Sequence, residues 1–159
     1  MTFLLQLNYS MFPKDDASTP FISNTFGDLS DPVLKLQDLL RILDGIIDEA
    51  PPDTGPRRFG NVSFRKWFDM VHSRLPDLLT THLPQECLHF PNSDGSLPAS
   101  AELEEYLLGS FGSAQRLDYG TGHELSFLAF LGGIWKLGGF HDSGSGTEER
   151  GIVLGVIEP

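Results

Sequence analysis

Residues 116–124, RLDYGTGHE, set a guanidinium, two carboxylates, a phenol, a hydroxyl and an imidazole around two glycines. A long apolar run, LSFLAFL, follows directly. If that run is a helix, its first turn presents backbone N–H groups with no intrahelical partner and a partial positive charge. Gly120 and Gly122 would let a ligand approach that backbone closely. Arg116 could add a bidentate donor for phosphate. The chemistry of this stretch is therefore anion or phosphate binding at a helix start. A second reading stands beside it. Thr121-Gly122-His123-Glu124 has the form T-x-x-E, a capping box in which Thr121 and Glu124 would only close the helix N-terminus.

Other chemistries fail on spacing. No G-x-x-x-x-G-K-[ST] string is present, and no strand pattern leads into Gly120 as a dinucleotide fingerprint requires. His123-Glu124 begins like H-E-x-x-H, but position 127 is Phe. Neither Ser143 nor Ser145 is flanked by the glycines of a nucleophile elbow. His72, His82, His89 and His141 show no ligand spacing, so no metal site is expected. No catalytic residue is assigned. A second polar cluster, Arg57-Arg58-Phe59-Gly60-Asn61 with Phe64-Arg65 and Trp67, reads as a helix start with an arginine laid along its surface.

The elements that must carry these groups read as helices. Val33, Leu36, Leu39, Leu40, Leu43, Ile46 and Ile47 form one apolar stripe over 32–49. Asp31 is the expected cap, with Pro32 at the first helical position and Pro51-Pro52 beyond the end. A second helix is expected from Asn61, with Phe64, Trp67, Phe68, Val71 and Leu75 on its core face and a kink or break at Pro76. Pro98 opens a short acidic helix over about 98–108, and Gly109 and Gly112 loosen the chain after it. Residues 122–137 are apolar nearly all round, so that helix is expected inside a bundle, with a neighbour close at Gly132 and Gly133 and a stop at Gly138-Gly139. Thr147 caps a last buried segment, 148–157, helix or strand. The fold expected is all-α, a single domain over 1–159.

The bulk numbers agree with a soluble globular chain of 159 residues, 40% apolar and 21% charged. A net charge of −11 argues against nucleic acid and anionic membrane as partners. The single cysteine, Cys87, excludes an internal disulfide and a multi-thiolate metal site and suits a reducing compartment. The amino-terminal MTFLLQLNYSMF lacks a basic flank, and Gln6 interrupts it, so it does not read as a signal peptide. The chain is expected in the cytoplasm, with the nucleus as a second compartment.

Two strings carry a specific resemblance. RFGNVSFRKW (58–67) and YLLGSFGSAQRLDYGTGHELSFLAFL (106–131) strongly resemble the phosphotyrosyl phosphatase activator family, described as activators of type 2A serine/threonine phosphatases and as peptidyl-prolyl isomerases. DPVLKLQDLLRILDGIIDEAPP (31–52) matches the helix before the first string, and FLLQLN (3–8) looks like part of the family's N-terminal helix. The resemblance implies an irregular all-α fold with a deep pocket and ATP, with magnesium, at the interface with the phosphatase catalytic subunit. It also implies a proline-containing peptide segment as substrate. By motif, Arg116, Thr121 and Gly122 take the nucleotide. Asp118, Tyr119, Gly120, His123 and Glu124 line or brace the pocket, and Arg58, Gly60, Asn61 and Trp67 support the fold beside it. Family members continue beyond 157 with a glycine- and tryptophan-rich stretch ending in paired aspartates, associated with magnesium, and with a further nucleotide-contacting segment. Neither string is present here. The expectation is therefore a partial domain, roughly half of the family fold, without the magnesium-binding segment and with the apolar faces of 122–137 and 148–157 left open. An enzyme, a non-enzymatic regulatory partner and an inactive fragment all remain open at this point.

Overall fold

The computed structural model describes residues 2–12, 29–55, 60–89, 98–140 and 146–158. Arg58, the turn-rich 90–97 stretch, His141 and Ser143 lie outside them. The elements in chain order are α1 (Thr2–Ser10), α2 (Asp31–Glu49), α3 (Ser63–His82), α4 (Gln85–Leu88), α5 (Ala99–Ser110), α6 (Thr121–Lys136) and α7 (Thr147–Ile152). A π-helical turn, Val153–Ile157, continues α7. Among the described residues no strand forms, and an antiparallel bridge joins Ser113 to Asp118.

The stripe read from 32–49 is the face that α2 buries: Val33, Leu36, Leu39, Leu43 and Ile46 are all buried. Each such side chain contributes about 1.5–3 kcal/mol through removal from water. The cap sits one residue earlier than expected, at Ser30. Asp31 lies inside the first turn and pairs with Lys35 at 2.8 Å. Ser30 donates instead to the buried Glu148 at 2.7 Å, which ties α2 to α7. Gln37 Nε2 donates to the Gly155 carbonyl at 2.8 Å and extends that seam.

Helix α3 packs antiparallel to α2. Trp67 Nε1 donates to the Leu43 carbonyl at 3.2 Å, and the buried His82 reaches Asp38 at 3.2 Å. Of the kink or break expected at Pro76, the break does not occur: α3 runs unbroken from Ser63 to His82. Pro76 and His72 are both exposed. The His72 carbonyl, which loses its helical donor at Pro76, therefore faces the solvent side, where water can replace it.

Helices α5 and α6 form the other antiparallel pair. Gly109 does not loosen the chain: it is helical, in the last turn of α5. A Cβ at Gly133 would stand 2.5 Å from Leu103 Cδ2, and one at Gly132 would touch the Phe3 ring at 3.4 Å. The two glycines thus admit α5 and α1. The Gly139 N–H donates to the Ile134 carbonyl at 2.9 Å, and the Gly138 N–H to that of Trp135 at 3.1 Å. With Gly138 at φ +80°, these bonds close α6 as a Schellman motif.

Two expectations for the C-terminal elements are corrected. Helix α6 is not enclosed: Phe130, Leu131 and Ile134 are buried, while Leu125 is 57% exposed. Its apolar circumference exceeds what α1 and α5 cover. Segment 148–157 is helical and not left open, because Ile152 and Val156 are buried. Gly146 at φ +72°, not Thr147, precedes its first turn.

Cys87 is fully buried, and its Sγ contacts the Ile134 carbonyl. Burial, and then the charge of Glu86, push its thiol up to about 11. The thiolate is the reactive form. A disulfide reagent at pH 8 should therefore leave native Cys87 unmodified and label one thiol per chain after denaturation. Rapid labelling of the native chain would contradict this packing.

Candidate anion and partner site

The site is a tight turn between α5 and α6, braced from α3. Helix α5 ends at Ser110, and Gly112 follows at φ +106°. A Cβ there would lie 2.8 Å from the Asp118 carbonyl, so the chain closes on itself at that point. The Ser113 N–H donates to the Asp118 carbonyl at 3.0 Å, and the Leu117 N–H to that of Ser113 at 2.7 Å. Leu117 adopts φ +56°, a left-handed conformation that costs a non-glycine residue about 1–2 kcal/mol.

This loop presents Arg116. Its backbone N–H donates to Ser113 Oγ at 3.1 Å, and its Nε to Asp118 Oδ2 at 2.7 Å. That bond holds the Asp118 carboxyl below its ordinary value of 3.8 and raises the guanidinium. Both side chains are more than half exposed, so the pair orients Arg116 and adds little to stability. Only Nε is committed among the described residues, and the two terminal nitrogens remain for a ligand.

Helix α6 starts where this turn ends. Gly120, fully extended at φ −167°, is its cap residue. The capping box does not form, because Thr121 is already helical and no side chain caps this end. The first bond inside the turn runs from the His123 N–H to the Gly120 carbonyl at 2.8 Å. A Cβ at Gly120 or Gly122 would meet nothing within 4 Å. Neither glycine has a positive φ, so this chain's own packing requires neither. Both glycines are exposed at a helix start, where the first-turn amides have no intrahelical partner.

His123 ties this start to α5: its Nδ1 bonds the Gly109 carbonyl at 2.6 Å, and its ring stacks on Tyr119 at 5.5 Å. Tyr119 is itself 60% exposed, and Thr121, Gly122 and Glu124 are exposed. Residues 116–124 thus form an open surface. A cleft of about 260 Å³ lies elsewhere, lined by Ile47, Pro52, Asn61, Phe64 and Trp67 among others.

The string at 58–67 reaches the same turn from α3. Asn61 Oδ1 accepts from the N–H groups of Ser63 and Asp53, both at 3.0 Å, so it ties the start of α3 to the preceding loop, while the cap position itself falls at Val62 and not at Asn61 as expected. Trp67 is buried, edge-on to Phe111 at 5.1 Å and stacked with Phe64. Gly60, at φ +86°, lies against Leu117: a Cβ there would stand 2.7 Å from Leu117 Cβ and 2.8 Å from its carbonyl oxygen. Gly60→Ala should therefore cost about 1–3 kcal/mol. Denaturant titration checks this, and an unchanged midpoint would mean that the Leu117 contact does not hold. Arg65, read from sequence only as part of the second polar cluster, donates through Nε to the Ala114 carbonyl at 2.9 Å and through Nη2 to that of Gln115 at 3.1 Å. Those partners lie 49 and 50 residues away, so no local pattern could reveal them.

The arrangement offers phosphate two kinds of donor, the uncommitted guanidinium N–H groups of Arg116 and the exposed, uncapped start of α6. It does not fit a metal ion. Asp118 is committed to Arg116, and among the described residues no three His, Cys, Asp or Glu side chains gather as a metal site. Among the described residues, no helix is long and apolar enough to cross a membrane.

Comparison with known proteins gives concordant results. The family model described as phosphotyrosyl phosphate activator (PTPA) protein matches residues 1–159. Serine/threonine-protein phosphatase 2A activator 1 of Emericella nidulans is 58% identical over 164 residues, covering 100% of this chain and 38% of the relative. The protein of the same name from Aspergillus oryzae is 52% identical, with 100% of this chain and 34% of the relative covered. The crystal structure of the PP2A phosphatase activator Ypa1 PTPA1 matches with a TM-score of 0.64 and 34% identity, over 96% of this chain and 47% of that one. The chain thus spans about a third to a half of the length of these proteins.

Proposed function

The chain belongs to the phosphotyrosyl phosphate activator (PTPA) family, and from that premise we propose that it engages the catalytic subunit of a type 2A serine/threonine phosphatase as an activator, with ATP seated between the two. The observation that carries the nucleotide is the pairing of Arg116 with the open start of α6. The terminal guanidinium nitrogens and the amides of the exposed Thr121 and Gly122 at this uncapped helix start are the kinds of donor a polyphosphate needs. The openness of 116–124 supports a seat completed by a partner, since phosphate contacts strengthen when water is excluded. Asp118 orients Arg116, and His123 holds the start of α6 to α5.

The finer reading is a peptidyl-prolyl isomerase acting on an X–Pro segment of the phosphatase. No nucleophile is needed: the barrier of about 18–20 kcal/mol falls if the bound form favours a twisted amide over a planar one. ATP here supplies negative charge and contact surface at the interface. Magnesium would travel with the nucleotide, because the residues described offer it no ligand set.

Association of the chain with purified catalytic subunit, measured with and without MgATP, tests the docking reading. Tighter association with nucleotide is expected, and no association under either condition would overturn it. A protease-coupled prolyl-peptide assay on the same mixture separates the finer reading. Absence of any rate increase would remove the isomerase and leave a non-enzymatic partner.

A further inference from the structure

We propose that Arg65 is the positioning residue of this seat: its guanidinium fixes the 113–118 turn so that Arg116 and the start of α6 face one phosphate group. The proposal rests on the phosphate reading of Arg116 given above.

Three observations carry it. Arg65 spends two N–H groups on consecutive carbonyls, those of Ala114 and Gln115, just before Arg116. Among the described residues it makes no ion pair with a carboxylate, so its fork serves the turn alone. Its own place is set by α3, whose first turns are held by the buried Trp67 and by the bond from the Ser63 N–H to Asn61 Oδ1. The neighbouring Lys66 points the other way, to the Glu49 carbonyl at 2.9 Å. A rigid route therefore runs from the core through Trp67 and α3 to Arg65, from there to the turn, and through Asp118 to Arg116. The turn needs such a hold. Leu117 sits in a conformation leucine seldom adopts, and the backbone bonds of the turn span only residues 113 to 118. Gly60 presses on Leu117 from one side, and Arg65 grips the carbonyls before it.

The test compares Arg65→Gln, Arg65→Lys, Arg116→Gln and the Arg65→Gln/Arg116→Gln double variant in the full chain. Amide hydrogen exchange at Ser113 and Leu117 reads the turn without any ligand. Calorimetric titration of MgATP into the chain mixed with phosphatase catalytic subunit reads the seat. Arg65→Gln should speed exchange at both amides about tenfold and weaken MgATP about tenfold. Arg65→Lys should behave like Arg65→Gln, because an ammonium cannot reproduce the two-carbonyl fork. In the Arg116→Gln background, Arg65→Gln should weaken MgATP by clearly less than tenfold, since much of its effect passes through Arg116. Unchanged exchange, a lysine variant equal to wild type, or additive losses in the double variant would each overturn the proposal while leaving the nucleotide reading intact. If Arg116→Gln leaves MgATP affinity untouched, the nucleotide reading itself falls, and the role given to Arg65 falls with it.

Discussion

Trp67→Ala is expected to cost about 3–5 kcal/mol of unfolding free energy. That is a large share of the roughly 5–15 kcal/mol that holds a domain of this size together. Trp67 is 8% exposed and fills the junction of α2, α3 and the end of α5. Removing its ring empties a volume bounded by Phe64 and Phe111 and strips an N–H from the Leu43 carbonyl. The rings that remain cannot close over the space without moving α3. The variant should also loosen the 113–118 turn, since α3 carries Arg65. Chemical denaturation followed by circular dichroism measures the loss. A cost below about 1 kcal/mol would show that the ring is not part of the core as described.

Arg116→Ala is the counterpart, with little effect on folding and a large one on binding. The Arg116 side chain is 66% exposed and bonds only to the adjacent turn, so the melting midpoint should barely move. Association with the phosphatase catalytic subunit in saturating MgATP should weaken about 10–100-fold, the usual worth of hydrogen bonds from a guanidinium to a charged oxygen. Without nucleotide, wild type and variant should associate equally. Equal affinities with MgATP would remove Arg116 from the seat.

How much of this was legible beforehand depends on the range of the interaction. The α2 stripe and the Gly138-Gly139 stop are local, and both formed, because period and φ preference act within one or two turns, although Ile47, read as part of the stripe, is exposed. The T-x-x-E pattern is also local and still misled. The chain extends at Gly120, so Thr121 enters the helix and its hydroxyl loses the cap position. Pro76 does not break α3, because the carbonyl it orphans lies on an exposed face where water can replace the missing donor. Helix α6 reads two ways, inside a bundle from its own pattern and left open from the resemblance, and the exposed Leu125 fits the second: the apolar pattern says what a helix would bury, not what is present to bury it. The grip of Arg65 on the Arg116 turn lay beyond any pattern, since it joins two strings about fifty residues apart and serves a leucine in a left-handed conformation. The resemblance marked both strings, and the structure shows that they meet at one turn.

The most direct test of the seat is a nuclear magnetic resonance titration. Isotope-labelled chain, saturated with phosphatase catalytic subunit, would be titrated with MgATP while the backbone amides of 112–124 and the Arg116 side-chain N–H groups are followed. The account predicts the largest shifts at Thr121, Gly122 and the Arg116 guanidinium, with the core of α2 unmoved. Saturable shifts confined to other segments, with these groups silent, would contradict it.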